Sequence, residues 1–410
     1  MKSLRILTGS VLLILTLISC NQTLNTDDHV IDLSGSFQDG KILPISQIAS
    51  DVKYIQLQTD TNCLLGRIDN PFHQVKFYDN RIFLSDSRKL VIFDSEGHFL
   101  SRVNAQGRGP GEYHNINDFA YMPELQQVVI HSAGSRKALF YCQDGTFIKE
   151  INVDFWPTRM VMYSNRLVFV TPVGRKKLTD YYALTVMDFD GHICSRLIYC
   201  KKESEIGKKE EFVLSTESNN IYILNNDLHF YERLYDSVWS VDSLFNIKSK
   251  RYINYGDEKE PDSHFLMSYY ENNPPAKRLE NAYRYIIISN YIESERFIFY
   301  TFLNKGLLTR VYYDKNDNQS SLLKPLEVTT DQKTWAFEND IDGGLPFWPM
   351  GLVGDKSVFC LLQAFEFKQH FAIKPGAFNS VPKDKKLNFE RIVKNIDIYD
   401  NPIIMIATLK

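Results

Sequence analysis

A repeated hairpin constrains this chain more than any other feature. Three successive stretches follow one order: an apolar run rich in β-branched and aromatic residues, a polar gap, a second such run, a turn closing on Gly, and a third run. The first contains Ile82-Phe83-Leu84, Val91-Ile92-Phe93, Ser95-Glu96-Gly97 and Phe99-Leu100. The second contains Val128-Val129-Ile130, Leu139-Phe140-Tyr141, Gln143-Asp144-Gly145 and Phe147-Ile148. The third contains Leu167-Val168-Phe169-Val170, Leu184-Thr185-Val186-Met187, Phe189-Asp190-Gly191 and Ile193. The turn glycines Gly97, Gly145 and Gly191 are 48 and 46 residues apart. Such turns between apolar runs are a strong short-range hairpin signal, because their central positions tolerate positive φ.

Looser units follow, opened by Ile221-Tyr222-Ile223-Leu224, by Phe297-Ile298-Phe299-Tyr300 and by Ser357-Val358-Phe359-Cys360-Leu361-Leu362. That makes six units of three or four short strands. A small sheet of this kind cannot bury both faces alone, so the units are expected to stack radially. The fold class read from the pattern is all-β, a six-bladed β-propeller over residues 31–410. Two strands have no unit of their own: Val52-Lys53-Tyr54-Ile55-Gln56-Leu57 and Ile403-Ile404-Met405-Ile406-Ala407-Thr408-Leu409. A ring leaves raw edges unless strands from both termini share a blade, so these two are expected to close it. One stretch, 263–285, breaks the pattern and is expected to form a short helical insertion, interrupted by Pro274-Pro275.

The N-terminus reads as an address. Lys2 and Arg5 precede an apolar run of about a dozen residues, too short to span a membrane, which ends in Leu17-Ile18-Ser19-Cys20. That ending resembles a bacterial lipobox. The resemblance implies a signal peptide over 1–19, lipid on the Cys20 thiol, and a polar tether over 20–30. The implied location is the cell envelope, with the outer membrane expected and its face left open; the lipid would be the only membrane contact. Without the signal peptide, 45 basic residues stand against 50 acidic ones, a net charge of −5. A mildly acidic chain without basic clusters argues against nucleic acid. The five cysteines beyond Cys20 form no C-x-x-C pair and no zinc-finger spacing. Cys63 aside, they sit in apolar runs and are expected to be small buried hydrophobes, with a Cys194–Cys200 disulfide as the alternative.

Between the first two units lies Gly107-Arg108-Gly109-Pro110-Gly111-Glu112-Tyr113. Three glycines and a proline cannot continue a helix or a central strand, so this is a tight reversal at a blade junction. Gly107, Gly109, Pro110, Gly111 and Tyr113 are read as structural, with glycines at positive φ and Tyr113 plugged between sheets. The spacing differs from that of phosphate-binding loops, and no helix follows to face an anion. Together with the hairpins, the motif resembles the blade junction of NHL-like propellers. It is more closely similar to six-bladed β-propeller lipoproteins of Bacteroides-type bacteria. Val52 to Leu57 with Leu65-Gly66-Arg67-Ile68, the Tyr235 to Val241 segment and Asp400-Asn401-Pro402-Ile403 carry that likeness over nearly the whole mature chain. The resemblance implies fold and address and supplies no reaction.

Sites are therefore read from the residues. Arg108, Glu112 and Asp118 are candidates for the rim of the central channel. Trp335 and Trp348 flank the Gly343-Gly344-Leu345-Pro346 loop, and Trp156-Pro157 recurs at another junction. Indole faces stack on sugar rings, so these loops suit glycan capture, although tryptophan also packs between blades. No nucleophile elbow, H-E-x-x-H or EF-hand loop occurs. No catalytic residue, metal set or cofactor is assigned. The expected role is a monomeric, non-catalytic binding or scaffold module for a glycan, a peptide or an envelope protein. The alternative is a propeller lyase or hydrolase acting on a polymer, with one residue per blade meeting at the channel mouth.

Overall fold

A computed structural model describes residues 30–37, 40–68, 71–171, 181–200, 220–232, 237–256, 286–304, 307–326, 335–373 and 382–410. Cys20, the signal peptide, all but the last residue of the expected tether and the expected helical insertion at 263–285 lie outside these residues.

Six sheets form a propeller. Blade one is β3 (Val75–Tyr78), β4 (Arg81–Ser85), β5 (Leu90–Asp94) and β6 (Phe99–Val103), entered through a single helical turn, α1 (Pro71–Gln74). Blade two is β7 (Asp118–Met122), β8 (Gln127–Ser132), β9 (Lys137–Cys142) and β10 (Phe147–Asn152). Blade three is β11 (Arg159–Tyr163), β12 (Arg166–Val170), β13 (Tyr181–Met187) and β14 (Ile193–Cys200). Blade four is β15 (Asn220–Leu224), β16 (Asp227–Glu232), β17 (Ser237–Val241) and β18 (Ile247–Asn254). Blade five is β19 (Ile286–Glu293), β20 (Phe297–Asn304), β21 (Leu307–Asp314) and β22 (Gln319–Leu322). The first strand of each blade faces the axis; β7 touches β11, β11 touches β15, β15 touches β19, β19 touches β23 (Gly351–Val353) of blade six, and β23 touches β3.

Why the apolar runs are nearly continuous follows from the packing. Each blade is covered on both sides, and alternate residues point to opposite neighbours. In β4, Ile82 and Leu84 join a buried cluster with Phe359, Leu361 and Ile404 of blade six. Phe83 points the other way, to Phe119, Tyr121 and Ile130 of blade two. The other four clusters fill the junctions two–three, three–four, four–five and five–six in the same manner. Burying one such side chain contributes about 1.5–3 kcal/mol, and no blade can do it alone.

Blade six closes the ring as the sequence requires. It consists of β23 (Gly351–Val353), β24 (Ser357–Leu362), β25 (Ile403–Leu409) and, outermost, β2 (Ala49–Gln56). The N-terminal β2 pairs antiparallel with the C-terminal β25, Val52 opposite Ala407 and Tyr54 opposite Met405. The buried Asn401 side chain locks the join: its Oδ1 accepts Leu65 N at 2.8 Å, and its Nδ2 donates to Gln58 O at 2.7 Å and Cys63 O at 3.0 Å.

The residues before β2 form a clasp. Strand β1 (Val30–Asp32), which takes in the last residue of the expected tether, runs parallel to β18 on the rim of blade four. Lys41 then bridges Leu323 beyond β22, and Ile45 N donates to Glu338 O at 2.7 Å before the chain enters blade six. Leu33, Ile45 and Ile48 are wholly buried along the way. One segment thus straps three blades.

Two helices, α2 (Ala364–Ile373) and α3 (Lys383–Asn395), are inserted between β24 and β25. Phe367 and Phe371 lie one turn apart and meet Phe389 of α3, with the edge of Tyr54 against Phe367 and Phe389. The sequence reading places its helical insertion at 263–285 and assigns no helix here. Helical spacing of these aromatics is the signal it passed over.

The turn glycines Gly97, Gly145 and Gly191 have φ of +91°, +92° and +91°. They also allow close approach: a Cβ on Gly97 would lie 2.3 Å from Gln56 O of the preceding blade, and one on Gly145 2.6 Å from Arg102 O. In the first and third turns an aspartate collects the backbone, Asp94 accepting Glu96 N and His98 N, and Asp188 accepting Asp190 N and His192 N; the second has Cys142 at that position, and Asp144 accepts Thr146 N alone. The fourth blade keeps the aspartate, Asp242, but puts Phe245 at φ +66° where the others have Gly. This explains why the fourth repeat is hard to see, and its ring is held edge-on against Tyr163 at 5.7 Å.

Candidate functional site

Antiparallel alternation sends the connections of each blade to opposite ends. The turns joining first to second and third to fourth strands share one end and are short. Among the described residues, the other end carries the second-to-third turns and the blade-to-blade connections, including 104–117, 153–158, 323–326 and 335–350, together with α2 and α3. We call this the loop face.

The Gly107 to Tyr113 reversal lies on the loop face, and its chemistry differs from a run of positive φ angles. Of its three glycines only Gly111 has positive φ, +71°. Gly107 instead leaves room for the Glu112 carboxylate, which a Cβ there would meet at 1.9 Å. Gly109 N donates to Glu112 Oε2 at 2.7 Å, so that carboxylate folds back on its own loop and forms no ion pair with Arg108. Arg108 and Glu112 are exposed. Tyr113 is fully buried in the cluster between blades one and two, donating to Arg88 O at 2.9 Å, and Tyr141 donates to Gly111 O at 2.9 Å.

Asp118 stands apart from that loop, at the start of inner strand β7. It is 2% exposed. Lys76 of β3 reaches across the axis: its Nζ donates to Asp118 Oδ1 at 2.5 Å, Phe119 O at 2.6 Å and Met160 O at 3.3 Å. Asp118 Oδ2 accepts Met160 N at 2.8 Å. One ammonium thus ties three inner strands together. Asp118 is a stitch between blades and shares no hydrogen bond with Arg108 or Glu112, so the three do not form one rim site. His131, opposite Asp118 in the sheet, is wholly buried with neither ring nitrogen hydrogen-bonded. Burial lowers its pKa to about 4, against the pull of the nearby Asp118.

A second buried polar group joins blades four and five. Arg251 grips Glu293 with two hydrogen bonds of 2.7 Å, Lys315 adds an ion pair at 2.6 Å, and the Tyr222 and Tyr291 hydroxyls both donate to Glu293 Oε2 at 2.5 Å. Burial by itself would raise the Glu293 carboxyl; the two cations outweigh it and hold the group well below the usual carboxylate range. Sequence reasoning missed Lys76 and Glu293, because single charges inside strands carry no local motif.

The tryptophans separate into two kinds. Trp348 is 5% exposed: Phe337 stacks on one face at 5.9 Å, the Arg310 guanidinium lies over the ring at 5.1 Å, and Nε1 donates to Thr301 Oγ1 at 3.1 Å. An indole so enclosed cannot stack on a sugar, which corrects its reading as a glycan residue. Trp335 is half-buried beside it, its carbonyl taking a hydrogen bond from Arg310 at 2.5 Å. Trp156, by contrast, is 43% exposed on the loop face, with the Arg136 guanidinium 4.8 Å over its ring. The cysteines also divide: Cys63 and Cys360 are buried, Cys142 is half-buried, and Cys194 is an exposed free thiol, not the buried or paired residue expected. Among the described residues no three His, Cys, Asp or Glu side chains converge in a way that would hold a metal ion.

Comparison with known proteins agrees with this architecture. The model of one family, described as a domain of unknown function (DUF4934), matches residues 28–408. A crystal structure of a Bacteroides fragilis protein designated as exported superposes with a TM-score of 0.67 at 19% identity, covering 93% of this chain and 99% of that one. A member of the DUF4221 family from Bacteroides vulgatus gives a TM-score of 0.49 at 10% identity, covering 88% and 97%. No curated protein matches the chain.

Proposed function

This chain belongs to the family described as a domain of unknown function (DUF4934), and from that premise we propose that it is a lipid-anchored cell-envelope propeller acting as a non-catalytic binding module. One observation carries the reading: the two ends of the ring are built differently. Tight turns close one end, while the loop face gathers the long connections and the helical pair on a rigid scaffold, the arrangement in which loops serve recognition. The designation of the Bacteroides fragilis structure as exported supports the envelope address. The lipobox-like ending at Cys20 supports attachment by lipid, with the first strand starting at Val30, only a short tether away.

Photo-crosslinking in living cells tests the reading. A crosslinking residue at Arg108, on the loop face, is expected to capture an envelope component. The same residue at Leu125, in a tight turn at the opposite end and 54% exposed, is expected to capture none. No adduct from Arg108, or equal adducts from both, refutes the proposal. Cys20→Ser is expected to move the chain from the membrane fraction to the soluble one; unchanged sedimentation refutes the anchor.

A further inference from the structure

We propose that the loop face above blades one and two binds an anionic polysaccharide through Arg88, Arg108 and Arg136, a reading that rests on the binding-module function and names its ligand class. Three loops carry these arginines: the second-to-third turn of blade one (85–90), the connection 104–117 and the second-to-third turn of blade two (131–136). Hydrogen bonds lace the loops into one surface. Tyr113, in the middle loop, donates its hydroxyl to Arg88 O at 2.9 Å, and its carbonyl accepts Gly107 N, beside Arg108, at 2.9 Å. Ile116 N donates to Ser87 O at 2.8 Å, and Ala133 N, in the turn of Arg136, donates to Asn117 Oδ1 at 2.7 Å.

All three arginines are exposed, and none spends its guanidinium on a carboxylate hydrogen bond. Arg88 comes no nearer than 4.0 Å to Asp86. Arg136 lies by its face over Trp156 at 4.8 Å, which leaves the N–H edge of its fork open. The carboxylates of these loops are already held by backbone. Asp86 is fully enclosed, accepting Gly66 N at 2.8 Å and the amides of Arg88 and Lys89 at 3.0 Å, and Glu112 accepts Gly109 N at 2.7 Å. Four basic residues thus stand against two acids across the three loops, in a chain that is acidic overall. Val153 N donates to Arg136 O at 2.9 Å, so the exposed Asp154 borders this surface and limits it toward blade three.

A guanidinium fork matches the paired oxygens of a carboxylate or a sulfate. Three forks carried on separate loops suit a polymer that repeats such a group. The rest of the surface selects the class of polymer. Asn104, Gln106, His114 and Asn117 are exposed in these loops, and no large apolar side chain is. Sugar hydroxyls both donate to and accept from such groups. An acidic peptide would find no apolar anchor here, and a bilayer would receive no inserting side chain.

The test measures binding of the mature chain to immobilised heparin and polygalacturonate, one sulfated and one carboxylated polysaccharide, with dextran, polyglutamate and anionic vesicles alongside. Saturable binding to at least one of the two anionic polysaccharides is expected, weakening as salt is raised, with none to dextran. Arg88→Gln, Arg108→Gln and Arg136→Gln combined are expected to weaken it by about tenfold or more. Arg108→Glu alone, a charge reversal on an exposed side chain, is expected to weaken it as well and reads the site even if the triple variant fails to fold. Arg166→Gln, in a tight turn at the opposite end, is expected to leave it unchanged. Silence on both anionic polysaccharides, binding that survives the arginine substitutions, or equal binding to polyglutamate or to vesicles overturns the proposal. Silence together with adducts from Arg108 refutes the polysaccharide while leaving the binding module standing; silence with no adducts refutes both.

Discussion

Lys76→Met would remove the one ammonium that ties three inner strands while keeping most of the side-chain volume. The structure sets the scale of the loss. Asp118, 2% exposed, would keep its hydrogen bonds from Met160 N and Phe119 N but lose the cation paired with it, and the Phe119 and Met160 carbonyls would lose a donor. Breaking a buried pair by removing one partner costs about 3–5 kcal/mol, much of it from the charge left behind. The two remaining amide bonds to the carboxylate place this case near the lower bound. Asp118→Asn in the same chain removes the stranded charge, so the double variant is expected to be more stable than Lys76→Met alone. Urea unfolding followed by tryptophan emission measures both. A Lys76→Met loss below about 1 kcal/mol, the range of exposed ion pairs, would refute the stitch. So would a double variant weaker than the single one.

The remaining predictions concern the turns, the buried histidine and the join. Gly97→Ala adds a left-handed φ penalty to a 2.3 Å approach to Gln56 O and is expected to cost about 2–4 kcal/mol, whereas Gly191→Ala, whose Cβ would find Ile151 at an ordinary 3.4 Å, should cost about 1–2; equal losses in urea unfolding would contradict this. His131 has a folded pKa of about 4, below its unfolded value near 6.5, so the unfolded chain binds its proton first and stability falls as pH drops through that window, by about 3 kcal/mol in all. His131→Leu should flatten that part of the stability–pH curve, and an unchanged slope would assign it to other groups. Asn401→Ala strips three hydrogen bonds from the join and should speed hydrogen exchange at Leu65 first.

Much of this architecture is legible in the sequence because the physics behind it is local and repeated. Gly97, Gly145 and Gly191 announce hairpins, and the doubly covered strands announce themselves as apolar runs. The two orphan terminal strands imply a shared blade. Legibility fails where a repeat is kept by other means. Phe245 takes the glycine's backbone conformation in blade four through packing on Tyr163, which no local rule anticipates. The inner strands are also harder to read than their neighbours; β23 spans three residues, so Ser357 seemed to open a blade that it enters as second strand. For the site, Trp348 and Trp156 look alike in sequence, each beside proline. Only the ring geometry puts one inside a junction and the other on the loop face. Lys76, Asp118 and Met160 are brought together by the axis alone, from positions up to 84 residues apart.

Hydrogen–deuterium exchange at the β2 amides, followed in the full mature chain and in one lacking residues 403–410, tests the closed ring most directly. Closure through blade six predicts that amides across Val52–Gln56 are among the slowest in the full chain and lose their protection when β25 is removed, with blades one and five loosening alongside. Fast exchange at β2 in the intact protein, or protection there that survives loss of the C-terminal strand, would contradict a ring joined by its two ends.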